Sequence, residues 1–191
     1  MSYQRLPTAR TVRAASRLAG TSLQFTGCSE YIAGLGERVA GRWLAIPNFV
    51  DCRRFDFQAQ VAADAPLVFL SRIERIKGAH HAIEIARRTG RRLLIAGNRI
   101  EGGESGRYFE QDIAPWLDGE RVRYVGAVDD AQKNALLGSA AAMLLPLEWD
   151  EPFGIVMAEA LACGTPVIAF RRGAAAEIVR EGVDGFVVDN V

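Results

Sequence analysis

From Pro66 onward, short, mainly apolar runs alternate with segments of helical period. The runs at 67–70, 92–96, 122–125, 141–145, 166–170 and 185–188 read as strands. The segments 77–89, 107–117, 130–137, 155–162 and 174–179 read as helices, the first closed by Gly90 as a C-cap. Strands that are apolar on both faces, each followed by a helix, predict an α/β fold: a Rossmann-like parallel sheet with helices on both sides. Before Pro66 the pattern is weaker. It predicts a basic helix at 10–19, a strand at 22–26, a helix at 29–39 with Ser29 as N-cap, and a strand at 42–46 that ends at Pro47. Residues 47–66, with Pro47, Asn48, Asp51, Asp64 and Pro66, show no period and read as a linker. The stretch 98–106 reads as a loose segment. Its Gly102-Gly103-Glu104-Ser105-Gly106 lacks the ending of a phosphate loop and reads as a flexible loop.

Composition narrows the function classes. A chain of 191 residues, 49% hydrophobic and 24% charged, is long enough for one good core and part of a second. Its net charge of zero gives no basic field for nucleic acid. Cys28, Cys52 and Cys163 are scattered without a CxxC, which fits a reducing cytoplasm. No apolar stretch reaches membrane-spanning length, and the first ten residues hold no apolar signal core.

The candidate chemistry sits where strands end and helices begin, the ligand-binding edge of an open α/β sheet. Glu151 and Glu159 are eight positions apart around Pro152-Phe153-Gly154-Ile155, close to two helical turns, so both carboxylates are expected on one side. Glu159 lies between Met157-Ala158 and Ala160-Leu161, where a carboxylate needs partners; sugar or ribose hydroxyls suit it. A glycosidase acid–base pair would need an extended glycan cleft, for which there is no signal. In the turn at 71–78, Arg72 at the strand end and Lys77 at the helix start suit a diphosphate, although taken alone the turn is better read as a solvated charged loop. The turn at 124–133 offers either a nucleobase slot or simple helix capping by Asp129 or Asp130. His80 and His81 are adjacent on a helix. Side chains so placed diverge by about 100°, so no shared metal is expected.

Taken together, Arg72 with Lys77-Gly78, the turn YVGAVDD, the run EPFGIVMAEALACGTPVIAF, Gly173 with Glu177-Ile178-Val179, and Asp184-Gly185-Phe186-Val187-Val188 resemble the C-terminal half of a family 4 (group 1) retaining glycosyltransferase of GT-B fold. The resemblance covers about residues 66–190. More loosely, Gly27-Cys28-Ser29 resembles the last strand–helix unit of the N-terminal domain, and Pro47-Asn48-Phe49-Val50-Asp51 the crossover, with Phe49 where the family has Gly. The resemblance implies a remnant of the N-terminal domain plus linker at 1–60, and a nucleotide-sugar-binding domain at 61–191 lacking its closing helices. It implies that Arg72 and Lys77 hold the donor diphosphate, Glu151 the sugar hydroxyls and Glu159 the ribose. The backbone amides of Phe153, Gly154 and Ile155 would face sugar and phosphates, and Val128, Asp130 and Lys133 the base. Arg72, Lys77 and Glu151 are the catalytic set it implies, with no bound metal or other cofactor. The acceptor, base and sugar are not readable, and peripheral membrane contact would run through the missing domain. A non-catalytic nucleotide-sugar-binding module and a GT-B-fold sugar-nucleotide epimerase are the alternatives. Glu-x7-Glu around Pro-Phe-Gly argues against the epimerase.

Overall fold

A computed structural model describes residues 1–190; Val191, the last position of the expected second domain, lies outside them. The chain begins with β1 (Ser2–Tyr3), α1 (Ala9–Ala19), β2 (Gln24–Gly27), α2 (Glu30–Glu37) and β3 (Arg42–Ala45). These strands form a parallel sheet in the order β1-β2-β3. Its small core stacks Phe25 on Trp43, ring centroids 4.9 Å apart, with Val12 and Ala33. Ser29 caps α2 as expected, accepting from the Ile32 amide. Residues 2–45, within the stretch read as a domain remnant, hold their own sheet and core, and β1 extends that sheet although two residues carry too little pattern to reveal it.

After the irregular segment 46–66, the chain runs through β4 (Leu67–Leu70), α3 (Ala79–Thr89), β5 (Leu93–Ala96), α4 (Gly103–Tyr108), β6 (Val122–Gly126), α5 (Asp130–Gly138), β7 (Ala142–Leu145), α6 (Ile155–Ala162), β8 (Val167–Phe170), α7 (Ala175–Ile178) and β9 (Gly185–Val188). All six strands are parallel, in the order β6-β5-β4-β7-β8-β9. Side-chain alternation explains the continuous apolar strands. Val68, Leu70, Met143 and Leu145 point to a core that includes Met157 and Ala160 of α6. Leu67, Phe69 and Leu144 point to the other face, against Ala82 and Ile83 of α3 and against Phe109. Burying both faces is what forces strands of Leu, Val, Ile and Phe without polar interruption.

Two segments differ from the sequence expectation. The helix expected at 107–117 starts earlier, at Gly103 within the segment read as loose. It then widens to a π turn at Phe109–Ile113 and tightens to a 3-10 turn at Ala114–Trp116. Pro115, lacking an N–H, cannot continue an α-helix. The helix expected at 77–89 starts at Ala79, so Lys77 belongs to a separate 3-10 turn at Arg75–Lys77.

Gly78 separates the two. Its φ of 80° is left-handed, and a Cβ there would lie 1.9 Å from the Pro146 carbonyl oxygen. The turn after β4 therefore touches the turn after β7 backbone to backbone. A Gly78→Ala variant is expected to lose at least about 2 kcal/mol of stability, from left-handed strain plus the clash. Urea unfolding monitored by circular dichroism measures this; an unchanged midpoint would contradict the contact.

Candidate functional site

In the large sheet the chain reverses its winding direction between β4 and β7. Counted within this sheet the order is 3-2-1-4-5-6, and such sheets bind ligands in the crevice outside the strand ends at that reversal. The loops that meet there are 71–78 and 146–154, the two that hold Lys77 and Glu151. Lys77 Nζ donates to Glu151 Oε2 at 2.7 Å, with side chains only 9% and 15% exposed. Trp149 completes the arrangement. Its indole N–H donates to the same Oε2 at 3.1 Å, and its ring lies under the Lys77 ammonium at 4.3 Å. Trp149 was missed in the sequence; its only signal is its place in the turn after β7, two residues ahead of Glu151.

The backbone of Glu151 is fixed from the next strand's loop. The Ala174 amide donates to the Glu151 carbonyl at 2.9 Å. Gly173 has φ 58°, and a Cβ on it would meet that carbonyl oxygen at 2.2 Å. Glu151 thus stands in a loop four residues ahead of α6, and the two carboxylates do not share one helix side as expected from their spacing. Gly154, at φ 81°, is the N-cap of α6, whose first amides are the orphan donors of any helix start. The Phe153 side chain turns away from the crevice to pack with Cys28 and Ile32.

Arg72 is placed differently from the expectation that it joins Lys77 in facing Glu151. Its guanidinium, 59% exposed, donates to Glu74 at 2.7 Å. The carboxylate of Glu74, two residues away and itself mostly buried, takes it.

Glu159 is held by Lys133 of α5, Nζ to Oε1 at 2.6 Å, with both side chains largely buried. Lys133 also reaches Asp130 at 3.3 Å, and Asp130 accepts from Arg54 at 2.7 Å. Burial would lower the Lys133 pKa, but the hydrogen bond and charge of Glu159, then Asp130, outweigh it and hold it above its ordinary value. Asp130 is held below its ordinary value, first by Lys133. Glu159, Lys133, Asp130, Ile155 and Arg54 line a cavity of about 340 Å³, closed on one side by Phe49 and Val50 of the linker. Arg54 lies in the aperiodic stretch, which gave no signal for it. Phe49 does not force a glycine-like turn: no described non-glycine residue has positive φ. Val128 packs on the core instead of lining this cavity, and Asp129 caps α5 in a full capping box with Gln132.

The small sheet abuts the same region. Ser29 Oγ donates to the Pro152 carbonyl at 2.6 Å, and Glu177 accepts from the Glu30 and Tyr31 amides at 2.7 and 2.6 Å. A carboxylate there also complements the α2 dipole.

Beside the Lys77–Glu151 pair, His80 and His81 turn their Nε2 atoms toward one oxygen of Glu148, at 3.2 and 3.1 Å. The expected divergence of adjacent helical side chains is overcome at the ring ends, with centroids 4.1 Å apart, because a residue on another loop draws both in. Burial, then the charge of His81, hold the His80 pKa below its ordinary value.

Removing one partner of a mostly buried ion pair strands the other charge. Lys77→Met is expected to destabilise by about 3 kcal/mol, and Lys77→Met with Glu151→Gln by clearly less than the sum of the singles. Additive effects in urea titrations would show that the two groups are not coupled.

Comparison with known proteins gives three results. Residues 54–191 match the family described as glycosyl transferases group 1. Glycogen synthase of Mycobacterium tuberculosis is 36% identical over 147 residues, 73% of this chain and 34% of the relative. The D-inositol 3-phosphate glycosyltransferase of Thermobifida fusca is 30% identical over 139 residues, 64% of this chain and 30% of its own length. The chain thus spans about a third of the length of these curated relatives. Among solved structures, Anabaena HepE with UDP and glucose shares the fold, with TM-score 0.78 at 23% identity over 97% of this chain and 56% of that one. AviGT4, a glycosyltransferase of avilamycin A biosynthesis, gives TM-score 0.67 at 32% identity over 85% of this chain and 50% of that one. With its parallel sheet, its reversal point and this family match, the chain belongs to the group 1 glycosyltransferases.

Proposed function

We propose that this chain is the donor-binding part of a retaining glycosyltransferase of the family 4 kind. The observation that carries the reading is the Lys77–Glu151 pair at the sheet's reversal point, with the Glu159 cavity next to it. In this reading the cavity takes the nucleoside, Glu159 accepts from the ribose hydroxyls, and Asp130 and Lys133 border the base. The diphosphate lies over the start of α6, where the amides of Phe153, Gly154 and Ile155 and the helix dipole favour negative charge. Lys77 passes from Glu151 to the diphosphate when the donor binds. Glu151 is then free to accept from the sugar hydroxyls. Arg72, solvent-exposed and held only by Glu74, can swing to the same phosphates. Both cations then stabilise the charge that develops on the leaving nucleoside diphosphate. They supply the positive charge of the transfer step, which needs no bound metal in this reading. HepE is described with UDP, with glucose and with UDP-glucose, which puts UDP-sugars first among donors to try.

The acceptor would be held by surfaces outside residues 1–191, since the relatives are about three times as long as the matched part. Residues 1–60 are, in this reading, the end of the acceptor domain and its crossover. Three free cysteines fit a reducing, cytoplasmic setting. No helix among the described residues is long and apolar enough to cross a membrane. In this reading any membrane contact runs peripherally through the acceptor domain.

Calorimetry with a panel of nucleoside diphosphates and nucleotide sugars tests the donor site. At least one should bind, and Lys77→Ala or Arg72→Ala should weaken it by about 1.5–3 kcal/mol, the scale of charge-assisted hydrogen bonds. Equal affinity in wild type and both variants would remove the phosphate role. Residues 1–191 alone should show no transfer, because acceptor alignment and water exclusion need the opposing surface. Robust turnover by the purified chain would falsify the donor-part reading.

A further inference from the structure

We propose that His80, His81 and Glu148 form a binding site for a transition-metal dication of the zinc class, and that the ion joins the start of α3 to the loop after β7, beside the sheet's reversal point. Three ligand atoms of the types zinc prefers converge here: two imidazole nitrogens and a carboxylate oxygen, all within 4.8 Å of one another. The two nitrogen–oxygen distances of 3.2 and 3.1 Å are close to the edge of a tetrahedron around zinc, about 3.3 Å for metal–ligand bonds near 2.05 Å. Two histidines and one carboxylate leave a fourth position for water.

The surroundings suit ligation. A metal-bound histidine needs its other ring nitrogen engaged, which fixes tautomer and ring plane. His80 meets this condition: its Nδ1 lies 2.8 Å from the Tyr108 hydroxyl, which also accepts from the His80 amide at 3.1 Å. With the proton on Nδ1, donating to Tyr108, the Nε2 lone pair faces Glu148. The His81 ring is held against Phe170, centroids 5.5 Å apart. Both histidines and Glu148 are partly exposed, so an ion can enter. The nearby cation, Arg75, is itself paired with Asp112 at 3.5 Å.

The consequence follows from position. His80 comes three residues after Lys77, on the first turn of α3; Glu148 comes three residues before Glu151. An ion held by all three ties the start of α3, just after Lys77, to the loop that carries Glu151. None of its ligands lines the Glu159 cavity, so ion and nucleotide would occupy separate places.

The test uses untagged protein with the exposed Cys52 replaced by Ser, so that this thiol cannot compete. Cobalt(II), a spectroscopic substitute for zinc, is titrated into it, followed by zinc competition with a chromophoric chelator. One equivalent of cobalt(II) should give the intense visible d–d bands of a four-coordinate site, displaced by zinc. Affinity should fall at least about tenfold in His81→Ala and in Glu148→Ala. Both side chains are partly exposed, and circular dichroism verifies that each variant folds. One equivalent of zinc should also raise the melting temperature of the parent protein by more than that of either variant. Absence of saturable binding to the parent, or affinity unchanged in either folded variant, would overturn the site.

Discussion

The close approach of two turns organises this molecule. The turn after β4 and the turn after β7 belong to neighbouring strands that run onward to opposite faces of the sheet. They meet where Gly78 lies against the Pro146 carbonyl, a contact that only a residue without a Cβ can make. That contact sets Lys77 opposite Glu151 and allows a 2.7 Å ion pair between two side chains that solvent barely reaches. Trp149 supplies both a hydrogen bond to the carboxylate and an aromatic face to the ammonium, so each charge has more than one partner. Such a pair need not add much net stability over an apolar alternative. What it does is keep two charges in fixed positions inside a crevice.

The rest of the crevice is built outward from that point. Gly173 and Ala174 hold the Glu151 backbone from the β8 side. Lys133 holds Glu159 from α5, and Asp130 and Arg54 extend the chain of charges to the linker. On the other side Ser29 and Glu177 join α2 to the loop 146–154 and to α7. The crevice therefore sits at the junction of two sheets, where cofactor and substrate sites commonly occur. Glu151, Glu159 and Asp130 are already paired within the chain, so under the proposed reading an incoming nucleotide sugar would exchange partners with Lys77 and Lys133 instead of meeting bare charges.

The large sheet was legible because burial on both faces leaves its central strands β4 and β7 no room for polar residues, so that they show as apolar blocks. β9 is placed at the residues expected, and α6 likewise, since Gly154 and Cys163 bound a helix that is apolar except for Glu159. The small sheet was less legible because its strands are short and its outer residues polar. The π turn at Phe109–Ile113 had no signal, since hydrogen-bond spacing is decided by packing and by Pro115. At the site, the motif residues marked candidate side chains but not their partners. That Arg72 turns to Glu74, that Phe153 packs inward, and that Glu148 draws two histidines together are all tertiary facts. Each depends on loops far apart in sequence, which local pattern does not encode.

The central claim, that the crevice between the turns after β4 and β7 receives a nucleoside diphosphate, is tested most directly by amide chemical-shift mapping during titration with UDP or another diphosphate that calorimetry shows to bind. Shifts are expected to concentrate at residues 72–78, 130–133 and 151–159. The cavity at the opposite end of the strands, lined by Arg87, Trp116 and Arg121, should stay unperturbed. Saturating shifts centred on Arg87, Trp116 and Arg121, with residues 72–78 and 151–159 unmoved, would contradict it.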